Sequence, residues 1–213
     1  MLKGTELKLF ADTHALDGMT DKQVKILLAA IDVFAAKGYA NASTKEIATE
    51  AGVAEGNIFS KFKSKGGLLN TIIQPVTKAI FPAVLTDFKE HQPLNPKFMT
   101  LHSFIEALVT DRVQFVRDNA AVLKIFVSEV LYSNEVRVEL VKQFPESYWH
   151  NINQTLTQLK ENHLMINWPN TEILKLMWAV VGGMVVGYLL FDQTLASQEI
   201  THIITALTKA LAR

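Results

Sequence analysis

Apolar residues recur every three or four positions along most of this chain, and that periodicity restricts it to a fold built from helices. Between 21 and 37, Val24, Leu27, Leu28, Ile31 and Phe34 form one such stripe. Period-two alternation between turn residues, the mark of a half-buried strand, is weak throughout. The pattern predicts an all-α protein of about nine helices, with no internal repeat and no low-complexity segment. Gly38 is placed to end the first helix, because glycine tolerates left-handed backbone. A second helix is expected from Ser43, which has capping-box spacing to Glu46 and leads into Ile47, Ala48 and Ala51. A third is expected over 54–62, burying Ile58 and Phe62. Ser64 is expected to cap a fourth, which contains Leu68, Leu69, Ile72 and Ile73. Longer helices are expected at about 98–117, 120–132, 135–161, 171–191 and 197–212. Polar, Asn- or Pro-bearing breaks (HQPLNP, Asp118-Asn119, Ser133-Asn134, WPN, DQTLAS) separate them. Pro145 is expected to kink or split the long segment at 135–161.

Residues 43–62, STKEIATEAGVAEGNIFSKF, have the layout of a helix-turn-helix: two short helices around a turn at Gly52, a corner able to enter a major groove. The expected organisation is an N-terminal extension (1–20), a helix-turn-helix domain (21–66) and a larger helical domain (67–213).

Residues 26–69 resemble the TetR family of bacterial transcriptional regulators almost position by position. The matching elements are Ala29-Ala30 and Phe34, Lys37-Gly38-Tyr39, Ile47-Ala48, Ala51-Gly52-Val53, Gly56, Phe62 and Ser64-Lys65. The resemblance implies a three-helix, homeodomain-like DNA-binding head on a helical bundle that binds a ligand and dimerises. It also implies a set of DNA contacts. Thr44 and Lys45 open the second helix, where free N–H groups and a hydroxyl suit a phosphate. Ala54, Glu55, Gly56 and Asn57 start the recognition helix. Gly56 permits close backbone approach, Asn57 is suited to adenine, and Glu55 is suited to a cytosine amino group. Ser60, Lys61 and Lys65 are expected at phosphates. Phe59 stands where many members carry a tyrosine, so one phosphate hydrogen bond is absent. Glu55 stands where a basic or neutral residue is commoner. Its carboxylate repels phosphate, although a helix N-terminus partly offsets this, and simple compensation of the helix dipole is the competing reading of that residue.

The chain has 21 basic and 21 acidic residues, so any affinity for a polyanion has to come from local clustering. Lys61, Lys63 and Lys65, with Lys37 and Lys45 nearby, supply that cluster, diluted by Glu46, Glu50 and Glu55. Weak nonspecific binding and a modest salt dependence follow. The absence of cysteine excludes disulfides, thiolate metal sites and cysteine nucleophiles, which suits a reducing cytoplasm. The first twenty residues lack the apolar run of a signal peptide.

The uncharged stretch 176–191, LMWAVVGGMVVGYLLF, is shorter than the roughly 20 residues of a membrane span. It reads as a helix buried in an assembly, and no membrane partner is expected. Gly182, Gly183 and Gly187 allow close helix approach. Ile200, Ile203, Ile204, Leu207 and Leu211 make a stripe on the last helix. Gly183, Gly187, Ile200, Ile204 and Leu207 are therefore expected in a homodimer interface, a four-helix bundle in the resembling family. The middle helices are rich in aromatics. Phe104, Phe115, Phe126, Tyr132, Phe144, Tyr148, Trp149 and Trp178, with His102, Glu129 and Asn153 as polar contacts, are candidates to line a pocket for a small-molecule effector. The competing reading is plain core packing.

No cofactor or metal is expected. Glu199-x-x-His202 has the spacing of a carboxylate-bridged metal site but no second copy. Nucleotide-binding and hydrolase motifs are absent, so the chain is not expected to be an enzyme. The expected function is a ligand-responsive repressor that binds a palindromic operator as a homodimer. The alternative is a helical ligand-binding or protein-interaction module of the same fold without sequence-specific DNA binding.

Overall fold

The computed structural model describes residues 4–79, 100–134, 136–138 and 146–213; within these, the side chains of 4–7, 78, 146–149 and 151 are not described. The described residues contain no strand and form ten helices. These are α1 (Gly4–Asp12), α2 (Asp21–Lys37), α3 (Thr44–Glu50), α4 (Gly56–Phe62), α5 (Lys65–Ala79), α6 (Leu101–Asp118), α7 (Ala120–Tyr132), α8 (Glu146–Glu161), α9 (Asn170–Leu190) and α10 (Ser197–Leu211). The chain divides into two compact units, one of 1–80 and 118–143, the other of 81–117 and 144–213.

The first unit is organised around α2, which packs against α3, α4, α5 and α7. Neighbours on several sides explain why more than one stripe of α2 is buried. Ile26, Ala29, Ala30 and Val33 join Leu27, Ile31 and Phe34 inside, while Val24 and Leu28 are only half-buried. The helix starts in a full capping box, with the Thr20 hydroxyl accepting from the Gln23 N–H and the Gln23 side chain accepting from the Thr20 N–H. It ends at Gly38, whose φ of 80° and ψ of 152° lie in a region essentially restricted to glycine. The N-terminal extension is partly helical: α1 packs on α5 and buries Leu9 and Phe10.

In the second unit α9 packs against α8 and α10. Its core includes Phe104, Ile105, Val109, Leu156, Ile173, Met177 and Leu207. The carbonyl of Leu195, just before α10, accepts from the Arg117 guanidinium at 2.6 Å. Helix α10 buries the stripe Ile204, Leu207 and Leu211 within its own chain. The expected break or kink at Pro145, and Phe144 beside it, lie outside the described residues.

Candidate nucleic-acid interface

Helix α3 begins where the sequence places it. Ser43 is extended, and its Oγ accepts from the Glu46 N–H at 3.2 Å. Only that half of the capping box forms, because the Glu46 carboxylate pairs with Lys37 at the end of α2. After α3, the Val53 N–H reaches the Ala48 carbonyl at 2.9 Å and the Gly52 N–H reaches Thr49 at 3.1 Å. With Gly52 at φ 65°, these are the two bonds of a Schellman motif. The corner is therefore fixed by backbone hydrogen bonds.

Helix α4 buries Ile58 and Phe62 and turns its other residues outward. Gly56, Ser60 and Lys61 are exposed, Phe59 is 45% exposed, and Asn57 is half-buried. A Cβ built on Gly56 would meet nothing within 4 Å, so its surface is open. The Asn57 amide donates to the Ala54 carbonyl at 3.0 Å, and the Ser60 hydroxyl donates to the Asn57 carbonyl at 3.3 Å. Glu55 precedes the helix without a side-chain capping bond. Its Oε1 instead accepts from the Thr44 hydroxyl at 2.5 Å, across the corner.

A one-residue turn joins α4 to α5. The Ser64 N–H bonds to the Phe62 carbonyl at 2.8 Å around Lys63, which has φ 68° and ψ −38°. This γ-turn is a strained conformation for a non-glycine residue. Ser64 caps α5 by accepting from the Gly67 N–H at 3.0 Å. Gly67 is obligatory there, since a Cβ would lie 1.8 Å from the Phe62 carbonyl oxygen.

The lysines of the basic run have separate roles. Lys61 is exposed, as is Lys45 on α3. The Lys63 ammonium donates to the Ser60 carbonyl at 3.2 Å. The Lys65 ammonium turns inward, donating to the carbonyls of Tyr39 and Ala42 at 2.9 Å and of Ala40 at 3.4 Å. It also lies 4.4 Å from the centroid of the Tyr39 ring, itself edge-on to Phe34. Expected at phosphate, Lys65 fastens α5 to the loop after α2. Sequence spacing does not reveal this, because its partners lie more than twenty residues away. Tyr39 is visible in the sequence only as part of Lys37-Gly38-Tyr39.

The residues expected around an effector fall in both units. On α7, Phe126 is core, Glu129 is half-buried and Tyr132 is 86% exposed. Burial raises the Glu129 carboxyl above its ordinary range, and the positive charge of Lys65 opposes that rise. On α6, Phe104 is core, Phe115 supports the Arg112 guanidinium at 4.8 Å, and exposed His102 lies 3.5 Å from Thr208 and 4.0 Å from Glu106. Asn153 accepts from Asn170 at 2.9 Å, and Trp178 is 49% exposed. Tyr132 and Trp178 are thus surface residues of the single chain and do not wall an interior cavity. The side chains of Tyr148 and Trp149 lie outside the described ones. Among the expected dimer residues, Gly187, Ile204 and Leu207 are buried within the chain, with Gly187 closed off by Gln193. Gly183 is exposed and Ile200 half-buried. The described residues contain no cluster of three or more His, Cys, Asp or Glu side chains able to hold a metal.

A Ser-capped helix, a glycine-fixed corner and a second helix with an outward polar face define a helix-turn-helix protein. Residues 26–72 match the family model for bacterial regulatory proteins of the tetR family, and it is this domain that is similar to theirs. One curated relative, the uncharacterized HTH-type transcriptional regulator YvkB of Bacillus subtilis (strain 168), is 45% identical over 49 residues. That match spans 23% of this chain and only 26% of YvkB. Fold similarity extends much further. The fatty acid degradation regulator FadR from Bacillus halodurans superposes with a TM-score of 0.66 at 19% identity, covering 90% of this chain and 97% of FadR. A TetR family transcriptional regulator from Pseudomonas syringae pv. tomato gives a TM-score of 0.62 at 16% identity, covering 90% of this chain and 95% of its own. The described residues therefore share the all-helical fold of these proteins.

Proposed function

We propose that this chain is a DNA-binding transcriptional regulator: a repressor that binds a palindromic operator as a homodimer and is released by a small-molecule effector. The observation that carries the reading is the outward face of α4, where Gly56, Asn57, Phe59, Ser60 and Lys61 project from a rigid corner inside a tetR-family domain. A helix presented in this way fits a major groove, its first residues meeting base edges. Exposed Lys45 and Lys61 supply the phosphate contacts, with few enough cations that the salt dependence is modest. A protein acting on operator DNA works in the cytoplasm.

Dimerisation is supported by α9. Its most apolar 18-residue window is only 33% buried within the chain, which leaves an uncharged surface around Trp178 and Gly183 for a second copy. Two heads held at a fixed spacing read two half-sites. By length and composition alone α9 is also able to cross a membrane. A water-soluble dimer obtained without detergent separates the two readings.

The test is selection of a randomised palindromic duplex pool on the full-length protein, followed by fluorescence anisotropy. Saturable binding that weakens with salt is expected. Lys61→Ala should weaken all sequences alike and lower the salt slope by about one. Asn57→Ala should relax preference at one base position, by about tenfold. A pool that shows no enrichment at low salt leaves the module without sequence-specific DNA binding as the surviving reading.

A further inference from the structure

Thr44 and Glu55 are eleven residues apart and sit at the starts of the two helices of the corner, yet their side chains hydrogen-bond to each other at 2.5 Å. Neither is occupied at its own helix end. Ser43, not Thr44, caps α3, and Glu55 makes no side-chain bond to the N–H groups of α4. We propose that Thr44 is a positioning residue: it holds the Glu55 carboxylate in the orientation that reads a base amino group, the cytosine N4 amine, in the major groove. The proposal rests on the DNA-binding reading above and adds to it the pair that sets one base preference.

A threonine hydroxyl has one proton to donate. With that proton on Glu55 Oε1, Thr44 has none left for a phosphate, so its contribution is orientation. An ionised carboxylate only accepts. With Oε1 engaged by Thr44, Oε2 makes no hydrogen bond among the described residues and is available to a donor. Cytosine presents a lone donor at its major-groove edge, whereas guanine presents two acceptors that the carboxylate repels. A free glutamate has several rotatable bonds whose ordering opposes binding, and the Thr44 bond imposes that order before DNA arrives. The half-buried setting of both residues strengthens the restraint.

The experiment uses the full-length chain and the duplex pool enriched on the wild type, with single-base variants measured by competition. Glu55→Ala identifies the position read by this carboxylate. The expected result is a preference for cytosine there of about tenfold, lost in the variant. Thr44→Val keeps the shape and the Ser43 cap but removes the hydroxyl. It should lower the preference several-fold at that same position and leave the others intact. Thr44→Ser should retain it, and Thr44→Val added to Glu55→Ala should cause no further loss at that position. Thermal melts of each variant check folding. The proposal is overturned if Thr44→Val weakens all sequences equally, the behaviour of a contact to the phosphate backbone. It is equally overturned if Glu55→Ala leaves every base preference unchanged. A wild-type pool without enrichment removes the DNA-binding reading itself, a result distinct from either.

Discussion

At the scale of single residues, the two adjacent glycines at the start of α5 separate backbone preference from steric need. A Cβ on Gly66 would make only ordinary contacts at 3.6 Å, with Ser64 and Tyr39, whereas one on Gly67 would strike the Phe62 carbonyl. Gly66→Ala should therefore be neutral or stabilising by up to about 1 kcal/mol, because alanine favours the helix. Gly67→Ala should cost about 2 kcal/mol or more as backbone shifts. Chemical denaturation of both variants measures the contrast. Glu129 gives a pH-dependent prediction. Its folded-state pKa is raised by burial, so folding favours the protonated form; that contribution is fully present below the unfolded pKa and lost as pH rises through the folded one. At neutral pH the half-buried, partly desolvated charge is a burden, and Glu129→Gln should raise the melting temperature at pH 7. The advantage should shrink as pH falls toward the ordinary carboxyl value of 4.5. An unchanged difference between pH 7 and pH 4 would contradict this account of the carboxyl.

At the scale of elements, Lys65 is the fastening between α5 and the segment from Tyr39 to Ala42. Lys65→Ala removes charged hydrogen bonds to half-buried carbonyls and should destabilise the fold by about 2 kcal/mol. If Lys65 were only a phosphate ligand, its removal would leave unfolding unchanged, so denaturation without DNA distinguishes the roles. How legible each element was follows from the range of the forces that form it. Helices α2 to α5 are visible in the sequence because their signals are local: apolar periodicity, Ser43 and Ser64 as caps, Gly38 and Gly52 as stops. Helix α1 escapes because a nine-residue segment makes a weak periodic pattern, and packing on α5, with Leu9 and Phe10 buried, stabilises it. Of the expected site, the outward side of α4 follows from the apolar pair Ile58 and Phe62 that faces inward. The engagement of Thr44 with Glu55 and of Lys65 with distant carbonyls is not legible, since it depends on helix ends meeting in space. The dimer stripe on α10 was half legible: periodicity shows that Ile204 and Leu207 are buried, not whose core buries them.

At the scale of the whole molecule, the proposed regulator needs two copies, and the uncovered surface of α9 is where the second is proposed to dock. Gly183→Glu places a charge on that surface where a Cβ would meet no neighbour in the single chain. Sedimentation equilibrium should show a wild-type dimer and a shift of the variant toward monomer, with a melting profile retained and operator affinity reduced at least tenfold. A variant that remains dimeric would place the interface elsewhere. The most direct measurement is anisotropy of the wild-type chain on its selected palindrome against a scrambled duplex of equal length, across a range of salt. The proposed function predicts saturation at one dimer per palindrome, at least a thousandfold preference over the scrambled sequence, and affinity that falls as salt rises. Equal binding to both duplexes, or none to either at low salt, would contradict it.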